Sequence, residues 1–314
     1  MGNSQITGDE ADALRGALAA MARFPLDPIR SARFTRLKGL TNRVYRVDIR
    51  GAAYCLRIPG PGTAAFIDRR AEAVNASGAA KAGVAPAVLH FGADGVMLTP
   101  FIADTLTLSA ERFRSDPGTV RRAARALRHL HDSAAEFAGE FNVFEIAGRY
   151  LSLLRSRGAE VPDIAAELMH GAEAVRHALA THPARLLPCH CDPTGRNLLD
   201  TGEKVWLVDW EYSGMNDPMW DLAYLSVQSE FDPALDAALL TAYLDRPARE
   251  EERSRMAVYL ALVEMLSALW ALVQGSGGNR AADFAAYADV TLEKCRDRMR
   301  SPEFRAHLET VKRG

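Results

Sequence analysis

Residues 34–58 alternate short runs rich in β-branched and aromatic residues with tight turns: FTRLKG (34–39), RVYRVDI (43–49), then Arg50-Gly51, then AYCLRI (53–58). Side chains of a strand point alternately to its two faces, so this spacing predicts three consecutive antiparallel strands. Pro59-Gly60-Pro61-Gly62 breaks the pattern. Residues 64–83, AAFIDRRAEAVNASGAAKAG, are helix formers throughout and end on Gly83, which predicts a helix with a glycine stop. AVLHFG (87–92) and GVMLTPFI (95–102) then predict two more strands. Five strands and one helix make a compact α+β lobe.

From about residue 105 the apolar period becomes helical. Asp116-Pro117 opens a helix in which Val120, Ala123, Ala124, Leu127 and Leu130 form one apolar face. Further helices are expected around 144–157, 161–181, 217–229, 233–244, 249–274 and 281–300. The longest apolar run, Tyr259 to Gln274, is short for a bilayer and carries Glu264, so it reads as a buried helix. One β signal interrupts the helices: RNLLD and KVWLVDW flank Asp200-Thr201-Gly202-Glu203, a hairpin arrangement. The period switch near 102–107 divides the chain into an N-terminal lobe (1–104) and a larger, mainly helical C-terminal lobe (105–314).

Composition changes this picture little. The chain has 314 residues, 48% hydrophobic and 25% charged, ordinary values for a globular protein. A net charge of −2 with cations scattered among acids gives no footprint for nucleic acid or an anionic membrane. A small-molecule partner is the expectation, and nothing in the sequence fixes an oligomeric state. The first residues, MGNSQITGDEADAL, lack a basic stretch followed by an apolar core, and an acylation signal beginning at Gly2 would need Ser or Thr where Ile6 stands. A cytoplasmic protein is therefore expected. The four cysteines form neither a disulfide framework nor two pairs at zinc-ribbon spacing.

The chemistry concentrates in PCHCDPTGRN (188–197), immediately before the hairpin. Two thiols, a histidine and an aspartate in five positions suit either a metal site or a phosphoryl-transfer loop. Transfer to an alcohol needs a carboxylate that orients the hydroxyl and finally accepts its proton, plus oxygen ligands for the Mg²⁺ bound to the nucleotide phosphates. Asp192 fits the first role. Asn197, five residues on, and Asp209, at the end of the hairpin, fit the second. The order His190-x-Asp192-x₄-Asn197, then Asp209, is that of the kinase catalytic loop and its metal-binding aspartate. Isolated, such a motif arises by chance; between a β-rich lobe and a hairpin it does not read so.

VDWEYSGMNDPMWDLAYLS (208–226), GLTNRVYRV (39–47), AYCLRIPGPGT (53–63) with IDRRAE (67–72), and LWALVQ (269–274) together resemble the bacterial branch of the choline/ethanolamine kinase family, within the aminoglycoside-phosphotransferase-like, protein-kinase-like superfamily. The likeness runs from about residue 35 to 305. It implies a bilobal kinase-like fold and transfer of the γ-phosphoryl of ATP, with Mg²⁺, to the hydroxyl of an amino-alcohol, choline first and ethanolamine second. It implies Asp192 as catalytic base, Asn197 and Asp209 as metal ligands, and Arg57 in place of the nucleotide-binding lysine with Glu72 as its partner. A guanidinium can bind two phosphate oxygens at once, which agrees with that placement. LKGLTNRVYR would cover the phosphates; it has only Gly39, so Thr41 and Asn42 would contribute in place of a glycine-rich loop. His190 and Asp221 would support the catalytic loop.

A choline-type cation is held by aromatic faces and a carboxylate. Glu211, Tyr212, Trp220, Trp270 and Tyr287 are the candidates, and the resemblance favours Tyr212, Trp270 and Tyr287. The family's second tryptophan, one turn before Trp270, is here Ser267, and the PTGR segment departs from the commoner catalytic loop. Alternatives are another acceptor (thiamine, an aminoglycoside or a sugar-like alcohol), a silent nucleotide-binding module, or a thiol metal site at Cys189 and Cys191.

Overall fold

The structure is a computed structural model that describes residues 6–21, 29–60, 62–63, 66–106 and 108–314. Gly2, Ser4, Pro61 and the expected helix start at 64–65 lie outside the described residues.

The three expected strands form: β1 (Arg33–Leu37), β2 (Arg43–Ile49) and β3 (Ala52–Ile58), with Arg50 and Gly51 both in the left-handed region at the β2–β3 turn. β4 (His90–Phe91) and β5 (Met97–Pro100) are shorter than their sequence signals and complete a five-stranded antiparallel sheet, ordered β1-β2-β3-β5-β4. Register fixes what each face does. Tyr45 pairs with Leu56 and Leu56 with Leu98, and all three are buried together with Val47 and Ile49. One residue along, Val44 pairs with Arg57 and Arg57 with Met97, so Arg57 points to the opposite face. That face turns toward the C-terminal lobe.

Against the apolar face lies α1 (Gly8–Ala20), a helix the periodicity did not reveal because it buries only Leu14 and Leu18. α2 (Arg69–Lys81) starts five residues later than expected. The Asp68 carboxylate accepts from the Arg70 and Ala71 amides at 2.9 and 3.1 Å and so sets the first turn. Gly83, at φ +77°, follows its end. α2 buries Glu72, Asn75, Ala76 and Ala79 between the lobes.

The chain then passes through 101–109 into α3 (Ala110–Ser115) and α4 (Pro117–His131). The apolar face of α4 is the expected one, and all five of its residues are buried. α5 (Val143–Ser156), α6 (Asp163–Thr181), α7 (Met219–Gln228), α8 (Pro233–Leu244), α9 (Glu250–Ser276), α10 (Phe284–Arg300) and α11 (Pro302–Arg313) build the rest. α9, with 27 residues, is long and apolar enough to cross a bilayer, yet it is largely buried beneath α5, α7, α10 and α11. Its Glu264 is held by Arg298 of α10 at 2.8 and 2.9 Å, a paired charge inside a core helix.

Within the helices four short strands form two pairs, one of which is the expected hairpin. β7 (Leu198–Asp200) pairs with β8 (Val205–Leu207). The sequence indicated no second sheet here, but β6 (Leu187–Cys189) pairs with β9 (Gly214–Asn216). The motif loop leaves β6 and enters β7, so both of its ends are pinned by strands.

Candidate active site

The motif loop is built around one buried carboxylate. Asp221, in the first turn of α7, accepts the backbone N–H of His190 at 2.8 Å and of Cys191 at 2.8 Å, and its Oδ2 lies 3.1 Å from His131 Nε2. Cys191 stands at φ +65°, and the two amide bonds from Asp221 hold that left-handed turn. Trp220 Nε1 donates to the Cys191 carbonyl at 3.0 Å. His190 Nε2 donates to Val208 O at 2.9 Å while its Nδ1 accepts from the Asp192 amide at 3.3 Å; burial lowers its pKa, so the ring is a neutral connector between loop and hairpin.

Asp192 emerges from this frame toward a cavity of about 730 Å³ between the lobes. Asn197 Nδ2 donates to its carbonyl at 2.9 Å and to its Oδ2 at 3.0 Å, and the Tyr224 hydroxyl of α7 hydrogen-bonds its side chain. Burial pushes the Asp192 carboxyl up to about 8, the Tyr224 bond acts against this, and Asp209 and Glu211 add to it. Glu211 is pushed up to about 7, by burial and then by Asp209. Asp209, at φ +68°, faces the same cavity.

From above, Arg57 reaches Asp209 Oδ1 at 2.8 Å and pairs with Glu72 of α2, both side chains of that second pair being buried. The expected Arg57–Glu72 partnership is thus present in the geometry. Arg69, which the sequence reading passed over inside IDRRAE, reaches Glu72 at 2.7 Å, Glu211 at 3.2 Å and Thr63 at 2.6 Å. Asn42 lines the cavity from its side toward the carboxylates. It is buried, donates to Glu211 at 3.2 Å and to Asp209 at 3.4 Å, and ties the β1–β2 loop to the lower lobe. Thr41 lines the cavity beside it. Gly39 is required here: a Cβ would come 2.3 Å from the Asn42 carbonyl oxygen.

The donor set suits a hard divalent cation. Asn197 turns its amide nitrogen to Asp192, and its Oδ1 accepts no hydrogen bond among the described residues. Beside it, Asp209 and Glu211 add oxygens to a carboxylate cluster in which the charge of Asp209 raises the pKa of both Asp192 and Glu211. The thiols do not take part. Cys189 and Cys191 are buried and their pKa values are raised well above 9 by burial, so both stay protonated. Three buried groups, His131, Cys189 and Asp221, do lie close together, but both Asp221 oxygens are already engaged by backbone amides.

The far end of the cavity is aromatic. Trp270 Nε1 donates to Tyr212 Oη at 3.1 Å, Tyr212 hydrogen-bonds Tyr150, and Tyr287 at the rim receives Gln228 Nε2 at 3.2 Å. Gln228 also donates to Ser267 Oγ at 3.1 Å, one turn before Trp270 on α9.

One expectation about the acceptor end needs correction. Trp220 is fully buried behind the loop, against Phe141 and Tyr259, with its indole N–H turned onto the Cys191 carbonyl; it does not line the cavity. Glu211 lines the cavity; its carboxylate accepts from Asn42 and Arg69, and its charge also acts on the Tyr150 and Tyr212 hydroxyls. Tyr150 and Tyr224 were missed. Both sit on helices where a tyrosine reads as core, and their hydroxyls betray them only once the helices are packed.

The sequence profile described as the phosphotransferase enzyme family matches residues 33–259. A choline/ethanolamine kinase family protein from Mesorhizobium loti is 44% identical, with TM-score 0.84 over 96% of this chain and 99% of that one. Protein LicA from Haemophilus influenzae is 27% identical over 80% of this chain and 76% of its own length. The choline kinase LicA from Streptococcus pneumoniae shares the fold at 24% identity and TM-score 0.76, over 93% of this chain and 99% of that one, and LicA in complex with AMP does so at 0.75.

Proposed function

The chain belongs to the phosphotransferase enzyme family, on its choline/ethanolamine kinase side, and acts on an alcohol; we propose that it transfers the γ-phosphoryl of ATP to choline, with ethanolamine as second acceptor. One observation carries the acceptor reading. A single cavity joins the Asp192 carboxylate to a wall of Tyr150, Tyr212, Trp270 and Tyr287. A hydroxyl two carbons from a cationic head could meet both at once. An aminoglycoside, with several ammonium groups, would call for carboxylates along that wall, and those near it are Asp192 and the Arg69-paired Glu211. The relatives agree in name: the Mesorhizobium loti protein carries the choline/ethanolamine label, Streptococcus pneumoniae LicA is a choline kinase, and LicA binds AMP.

In this reading Asp192 orients the acceptor hydroxyl. The acceptor oxygen forms a bond to the γ-phosphorus, the bond from that phosphorus to the β–γ bridging oxygen breaks, ADP leaves, and the hydroxyl proton passes to Asp192. Asn197 and Asp209 would hold Mg²⁺, which offsets charge on the transferring oxygens. Arg57 offers a guanidinium to the α- and β-phosphates, and Glu72 fixes its position. Catalysis is then chiefly positioning and charge placement.

A panel of amino-alcohols incubated with Mg-ATP, with phosphorylated product detected directly, tests the assignment. Choline is expected to give the highest kcat/KM. In the same assay Trp270→Ala should raise KM for choline about tenfold, since a desolvated cation–π contact is worth roughly 1–2 kcal/mol. KM for ATP should not change. A Trp270→Ala enzyme with unaltered choline KM would remove the aromatic wall from the acceptor site.

A further inference from the structure

Among the described residues six charged side chains line the cavity: Asp192, Asp209 and Glu211, with Lys38, Arg57 and Arg196. Arg57 is already engaged by Glu72 and Asp209. Arg196 is different. It is exposed, and its guanidinium makes no ion pair or hydrogen bond with any described residue, although it stands in the motif loop beside Asn197.

Its backbone is nonetheless fixed. Thr194 N bonds Asp192 O at 2.8 Å and Asn197 N bonds Thr194 O at 2.9 Å, two tight turns in succession. Gly195 is pressed against the start of α3, where a Cβ would lie 2.0 Å from the Leu108 carbonyl oxygen. On the other side the Asn197 amide is locked to Asp192. A free cation on a rigid turn, next to a candidate metal ligand and four residues from the candidate base, is held ready for an anion and not for a protein partner.

We propose that Arg196 is a further catalytic residue, one that contacts the β- and γ-phosphate oxygens of the nucleotide as the phosphoryl group transfers. The inference rests on the nucleotide reading above. A triphosphate bound over Asn197 and Asp209 brings negative charge into a cavity that already holds three carboxylates, and Arg57 is shared between two of its own. Arg196 supplies the uncommitted positive charge on the catalytic-loop side. Its two-pronged guanidinium suits paired phosphate oxygens, and charge spreading over the equatorial oxygens in the transition state strengthens the contact. AMP, which lacks both phosphates, would not feel it.

The test compares wild type, Arg196→Ala and Arg196→Lys by calorimetric titration with AMP and with a non-hydrolysable ATP analogue, each with Mg²⁺. Arg196→Ala should bind the analogue about tenfold more weakly, the scale of one lost charge-assisted contact, while AMP affinity stays within about twofold. The kcat should fall, KM for choline and Tm should hold, and Arg196→Lys should recover part of the analogue affinity. Equal analogue binding by wild type and Arg196→Ala overturns the inference, and so does an equal loss for AMP and the analogue or an effect confined to choline KM. A wild-type protein that binds no analogue fails at the nucleotide reading itself, and the two failures are told apart by that control.

Discussion

Asp192→Asn is expected to lower kcat about 1,000-fold, within the range that positioned proton acceptors contribute, while the protein stays as stable or becomes more so. The two halves of this result come from one cause. Asp192 is enclosed by the loop, Asn197 and Tyr224, and burial pushes its carboxyl from 3.8 up to about 8, with Asp209 and Glu211 raising it further. An acid whose folded pKa lies above its unfolded value weakens the fold once it ionises. That cost appears as pH rises past the unfolded value and is complete above about 8. Asparagine keeps the shape and can still accept from Asn197 and Tyr224, without the charge. The Tm advantage of the variant should therefore grow from acid pH to about pH 8 and then level off. Thermal melts across that range, beside turnover of choline under Mg-ATP, read both effects. A folded Asp192→Asn enzyme with near wild-type kcat would remove Asp192 as the base.

Much of this arrangement is legible in the sequence because it is encoded locally. The β-meander shows itself through period-two burial in RVYRVDI, and α4 through an apolar stripe that repeats every three to four residues. The spacing of Asp192, Asn197 and Asp209 survives because the loop and the hairpin after it are one continuous segment. What stayed hidden depends on distant pairing. β6 and β9 are three residues each and find each other across 24 intervening positions, so neither carries a periodic signal of its own. α1 hides because two leucines are too few to draw a stripe.

The site shows the same division. Trp220 and Trp270 are both tryptophans on apolar helices and both are candidates for the cation wall as aromatics, though the family resemblance favours only Trp270. Packing separates them: the Trp220 indole is turned back onto the Cys191 carbonyl, whereas the Trp270 indole meets Tyr212 at the cavity. Glu211 and Tyr212 are neighbours in sequence, yet successive residues after β8 diverge, one toward Arg69 and the other toward Trp270. Arg69 and Tyr224 could have been read only by knowing which carboxylate each would face.

Arg57→Met should be the most destabilising single change at the site, and a second substitution should restore stability without restoring activity. The Arg57 and Glu72 side chains are 4% and 0% exposed, so removing the cation leaves a carboxylate inside the protein with Arg69 as its remaining partner. Breaking a buried pair on one side typically costs about 3–5 kcal/mol, which would lower Tm by several degrees in a chain of this size. Burial already raises the Glu72 pKa and Arg57 opposes it, so in Arg57→Met the carboxyl takes up a proton more readily. The loss of stability should accordingly shrink toward acid pH. In Arg57→Met/Glu72→Gln no buried charge is left unpaired at position 72, the glutamine oxygen can still accept from Arg69, and Asp209, which also loses Arg57, is partly exposed at the cavity and hydrated there. Melting should return most of the way to wild type. Turnover should remain at the level of the single variant, because nothing replaces the guanidinium above Asp209. Two results would count against this assignment: a single variant as stable as wild type would mean the pair holds nothing, and a double variant with normal kcat and ATP KM would mean that Arg57 serves the fold and not the phosphates.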